Sequence, residues 1–189
     1  MVMLMGIAIE ASARVEGPTT VNDGETVYLP SSDGVCSLYT VDGTVTFKAV
    51  ASGTIPNYKD FGAAFQPANE GDKIMITVNA IDISGGTHLI MYDGDVDISK
   101  IGTSGAGGSS PFTYFPTRWV TEITASDVGY GFTSTTDNGM VAFGCTTRGT
   151  TGMTGWAITV SSQSPKDMEY VSSSAITGLP STWRASGSS

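Results

Sequence analysis

Short runs in which apolar and polar residues alternate, broken at roughly ten-residue intervals by Gly, Asp or Asn, set the main constraint on this chain. In KIMITVNAIDI, residues 73–83, Ile74, Ile76, Val78 and Ala80 share one face, which is the period of a half-buried strand. Gly155–Ser161 puts Trp156, Ile158 and Val160 on one side and Ala157 and Thr159 on the other. His88–Tyr92 closes on Asp93-Gly94, a hairpin-type turn signal. Glu25–Leu29, Val45–Val50, Trp119–Ala125, Gly131–Ser134 and Met140–Cys145 are shorter runs of the same kind. About eight such segments joined by turn residues predict an all-β fold, an antiparallel β-sandwich, with jelly-roll order one compatible topology.

Composition narrows the function classes. Leu occurs five times and Gly 24 times in 189 residues, and no long amphipathic helix pattern appears, which argues against a doubly wound nucleotide enzyme. Nine Lys+Arg against 18 Asp+Glu give a net charge of −9, so nucleic acid is not an expected partner. No apolar run reaches the length of about 18 residues that a membrane-spanning helix needs, so membrane insertion is not expected. The length suits one domain with a full core.

The ends read differently from the middle. Residues 1–13, MVMLMGIAIEASA, finish on Ala11 and Ala13 in the manner of a signal-peptide cleavage site, although a basic n-region is missing; a short apolar strand is the other reading. Residues 14–162 form the sandwich domain, and 163–189, rich in Ser, read as a linker or the start of a further domain. Cys36 and Cys145 could pair or stay as two buried thiols; their separation excludes CxxC chemistry. A secreted or cell-surface location fits these features better than a cytoplasmic one.

The stretch KIMITVNAIDISGGTHLIMYDGDVDISKIGT resembles the centre of a CUB-type domain, with the Tyr92-Asp93-Gly94 turn closing a strand. MVAFGCTTRGTTGMTGWAITV resembles the closing strand pair of that family, Gly155-Trp156 standing where the family has a glycine followed by an aromatic. The likeness covers residues 73–162, extends weakly back to Thr40, and is greatest to CUB-like modules in large secreted bacterial surface proteins. It implies a two-sheet sandwich that binds proteins or glycans and performs no catalysis. Many members hold calcium, but the positions that would carry two of the ligands are Thr87 and Thr146, and two hydroxyls do not replace two carboxylates. The framework cysteines of the family are missing too. No cofactor is therefore expected, with calcium only a residual option.

Two places could carry a ligand. Asp93, Asp95 and Asp97 in YDGDVDISK alternate like the opening of a calcium loop, but Ile98 stands where such a loop needs Gly and Ser104 where it needs Glu; turn capping by Asp93 is the plainer reading. Tyr114, Phe115, Arg118 and Trp119 follow the glycine-rich GTSGAGGSS, which no Lys-Ser/Thr pair follows and which is no phosphate cradle. Aromatic and Arg side chains of this kind anchor ligands, or else plug the end of a sandwich. His88 is the only histidine and no nucleophile motif accompanies it. The sequence thus predicts a non-catalytic binding module whose partners are a glycan or protein ligand and other domains of its parent chain. A structural spacer and an accessory domain of a hydrolase are the alternatives.

Overall fold

A computed structural model of the protein describes residues 14–29, 34–57, 59–83, 86–94, 119–147, 149 and 152–165. The strands in chain order are β1 (Arg14–Asn22), β2 (Thr26–Tyr28), β3 (Val35–Asp42), β4 (Thr44–Lys48), β5 (Lys59–Pro67), β6 (Lys73–Asp82), β7 (His88–Asp93), β8 (Trp119–Ile123), β9 (Gly131–Thr133), β10 (Val141–Thr147) and β11 (Gly155–Gln163). They make two sheets, β1-β3-β5-β10-β7-β8 and β2-β4-β11-β6-β9, packed face to face. This is the all-β sandwich that the alternation predicts.

The sheets are mixed where sequence reasoning expects antiparallel pairing throughout. β1–β3, β3–β5 and β2–β4 are parallel. The cause lies in the path of the chain. From β1 to β7 it changes sheet after every strand, so the next member of each sheet runs in the same direction as the last. A strand in the opposite sheet serves as the crossover that parallel neighbours require. β10 and β11 then insert antiparallel between β5 and β7 and between β4 and β6. One end of the sandwich, here the tip, collects the β1–β2, β3–β4, β5–β6 and β9–β10 turns. The β6–β7 and β8–β9 connections and the one between β10 and β11 lie at the base.

The core between the sheets is read directly from the alternation. Val45 and Phe47 of β4, Ile74, Ile76 and Val78 of β6, and Ile158 and Val160 of β11 face Phe61 and Phe65 of β5 and Val141 and Phe143 of β10, all at most 2% exposed. Aromatic rings tie the layers together. Phe65 has its centroid 4.7 Å from Phe47 and 6.1 Å from Phe143, and Phe143 stacks on Trp156 at 6.4 Å, distances at which ring pairs attract. At the turn into β4, Gly43 has φ +85°, and a Cβ there would lie 2.7 Å from that of Asp23, whose Oδ1 accepts the Thr44 N–H at 2.8 Å. Only glycine satisfies both the backbone and the space.

Three strands escape the sequence reading: β1, β3 and β5. In β5 the inward residues are Phe61, Ala63 and Phe65, but Gly62 and Ala64 on the other face are uncharged too, so the polar contrast between faces is lost.

Candidate functional site

Asp93, at the tip end of β7, is 4% exposed. Its Oδ1 accepts the Ser134 hydroxyl at 3.0 Å and the Thr135 N–H at 3.1 Å, while Oδ2 accepts the Thr135 hydroxyl at 2.5 Å. The turn held in this way is braced further. Ser134 Oγ and Thr136 Oγ1 lie 2.9 Å apart, Asn138 Oδ1 takes the Thr136 hydroxyl at 2.7 Å, and the Lys73 ammonium donates to the Thr136 carbonyl. A buried carboxylate needs such partners, and these donors supply them. Asp93 thus clamps the β9–β10 turn onto β7. Asp95 and Asp97 lie outside the described residues. Among the described residues no three His, Cys, Asp or Glu side chains converge on a point that could hold a metal.

Of the predicted ligand residues, Tyr114, Phe115 and Arg118 also lie outside the described residues. Trp119 opens β8, the edge strand of the six-stranded sheet, and its backbone stands in register with Tyr92 of β7. Tyr92 is half-buried on the outer face of that sheet, and burial raises its phenol pKa. An aromatic pair of positions therefore marks the place where the chain leaves β7 and returns in β8.

At the base, Thr146 is in register with His88 of β7, and Thr87 precedes it, so the two threonines are one register step apart, Thr87 buried and Thr146 half-buried. Asp93 is at the opposite end of the same strand. His88 Nδ1 and Glu122 Oε1 lie 2.5 Å apart on the outer face, both side chains nearly half exposed. Nothing in the spacing of the sequence announces Glu122 as the partner of the histidine.

The cysteines do not pair. Cys36 on β3 stands opposite Gly62, which stands opposite Gly144, the neighbour of Cys145. Two strand spacings, roughly 10 Å, separate them, beyond the reach of a disulfide. They also face opposite sides of the sheet, Cys145 packing in the main core and Cys36 in a small cluster with Ala64, Met140 and Ala142. Burial pushes the Cys145 thiol up to about 12, although the nearby Trp156 indole opposes the shift. The Trp156 Nε1–H has no well-formed hydrogen bond, and the thiol is its polar neighbour.

No family model matches the chain, and no curated protein matches it. Among solved structures it is similar to the full extracellular region of zebrafish Gpr126/Adgrg6, with a TM-score of 0.45 and 12% identity, over 67% of this chain and 14% of that one. Among the described residues no helix is long and apolar enough to cross a membrane.

Proposed function

We propose that the chain is a non-catalytic binding module of CUB-like type in a secreted or cell-surface protein, taking a glycan or protein ligand. One observation carries this reading. Trp119, which follows Tyr114, Phe115 and Arg118 in the sequence, opens the edge strand β8 in register with half-buried Tyr92 of β7. Aromatic side chains supply large contact area at low entropic cost, and Tyr, Trp and Arg dominate interface hot spots. Among the described residues, the Cys145 thiol is buried in the core, where it stays protonated, and no nucleophile motif accompanies the exposed His88–Glu122 pair.

The test is retention of the protein on immobilised mucin and neutral polysaccharides, in calcium and in chelator. Saturable retention that survives chelator and falls about tenfold in Trp119→Ala, with unfolding unchanged, is the expected result. Retention that vanishes with chelator would return attention to Asp93, Asp95 and Asp97. Absence of retention on every matrix would favour the spacer reading.

A further inference from the structure

The described large apolar side chains that are exposed are Tyr28 at 46%, Val128 at 52% and Tyr130 at 39%. All lie along the edges of one sheet, the five-stranded one: Tyr28 on β2, and Val128 and Tyr130 in the turn that enters β9. Between those edges the outer face carries mainly Thr, Ala and Ser, with Lys48, Lys73 and Met75 among its longer side chains. Val27, Phe47 and Ile158 point into the core, so Tyr28, Lys48 and Ala157 project outward; Ala80, which strict alternation would put on the Val78 face, is turned outward with them by a bulge. Strand register aligns these four side by side, from β2 through β4 and β11 to β6, across about 14 Å. The neighbouring row is Thr26, Thr46, Thr159 and Thr77.

A bulge refines this surface. Ala157 pairs with Ala80 but Ile158 pairs with Val78, so Asn79 is the extra residue, and it stays on the outer face with its amide donating to Thr159 Oγ1 at 2.7 Å. Toward the base, Ala80 and Ala157 floor a cleft of about 320 Å³ walled by Lys48, Val50 and Asp82. The Asp82 carboxylate is fixed there by the Thr154 N–H at 2.7 Å and the Thr154 hydroxyl at 2.6 Å, bonds that hold its pKa below the usual carboxylate value. Gly155, which also lines the cleft, is buried with φ +90°, and a Cβ there would come within 2.4 Å of buried Ile55.

We propose that this face binds a neutral oligosaccharide chain laid across the strands. A sugar ring has an apolar C–H face and a hydroxyl rim. The negative π-face of Tyr28 suits the first, and the Ala157–Ala80 floor leaves room for a flat ring. The threonine hydroxyls, the Asn79 amide and the Lys48 ammonium offer donors and acceptors to the second. Charge selects against ionic ligands. The row and cleft hold one cation and one anion, Lys48 and Asp82, while the rest of a chain of net charge −9 repels polyanions. The carboxylates Asp23, Asp42, Glu70, Asp72 and Asp137 that would draw a polycation sit at the tip instead. The assignment rests on the binding-module reading but uses the opposite sheet from the β7–β8 edge.

Affinity electrophoresis of the full chain through gels containing laminarin, xyloglucan, galactomannan or dextran, with heparin and polygalacturonate as anionic counterparts, tests it. Retardation by at least one neutral polymer and by neither anionic one is expected. Tyr28→Ala and Ala80→Arg change exposed positions and should leave unfolding intact while weakening that retardation about tenfold or more. Retardation that both variants retain in full overturns the face while leaving the module reading in place. Retardation only by the anionic polymers overturns the neutral ligand, and none in any gel overturns the assignment together with glycan binding by the module.

Discussion

Replacing Asp93 separates what its carboxylate does for the fold from any part in binding. Asp93→Ala removes the acceptor for the Ser134 hydroxyl, the Thr135 N–H and the Thr135 hydroxyl. Each hydrogen bond to a charged group contributes about 1.5–3 kcal/mol when its loss strands the partner. The partners here are stranded unequally. Ser134 is buried but has Thr136 Oγ1 as a second partner, and Thr135 is exposed and regains water. Removing a buried charge also relieves its desolvation, so the net cost should be about 2–4 kcal/mol. In urea, where the denaturant slope of a domain is about 1–3 kcal/mol per molar, the midpoint should fall by roughly 1–2 M at unchanged slope. Asp93→Asn keeps one acceptor oxygen and should cost about 1 kcal/mol. A midpoint for Asp93→Ala equal to that of the parent chain would refute the clamp, and equal losses for Ala and Asn would show that charge, not acceptor geometry, is what matters.

Three further outcomes follow from the buried side chains. Phe65→Ala removes the ring between Phe47 and Phe143 and should cost about 4–5 kcal/mol, lowering the melting temperature by roughly 10–15 °C; a fall of under about 3 °C by calorimetry would contradict the layer-bridging role. Cys145 has a folded pKa raised from 9.0 to about 12, so its contribution to stability is whole below pH 9 and is lost as pH rises toward 12. Iodoacetamide at pH 8 should label neither Cys145 nor buried Cys36 until denaturant is added, read by intact mass; rapid labelling of the folded chain would contradict their burial.

Strand-forming segments with one strongly apolar face were legible in the sequence, as β6, β7 and β11 show. Segments whose two faces do not contrast were not. In β3 the inward series Val35, Ser37, Tyr39 and Val41 contains a serine only 5% exposed, which blurs the pattern, and β5 is blurred by its glycine and alanines. Strand direction was not legible either, because alternation is identical in parallel and antiparallel partners. For the sites, the turn signal at Tyr92-Asp93-Gly94 marked Asp93 as a capping residue, but its partners lie 41 and 42 positions away. The row from Tyr28 to Ala80 takes one residue from each of four strands. Such a surface exists only once register is known.

The zigzag path of the chain also decides how the sandwich carries force. β1 begins at the base, on the edge of one sheet, and β11 finishes at the tip, in the middle of the other. Tension applied between residues 14 and 163 therefore pulls β1 lengthwise along β3 and β11 lengthwise between β4 and β6. Ladder hydrogen bonds lie across the strands, so this pull loads each row in shear, all bonds sharing the strain, instead of unzipping them one after another. A sandwich threaded in this way resists being drawn out along the direction of its strands.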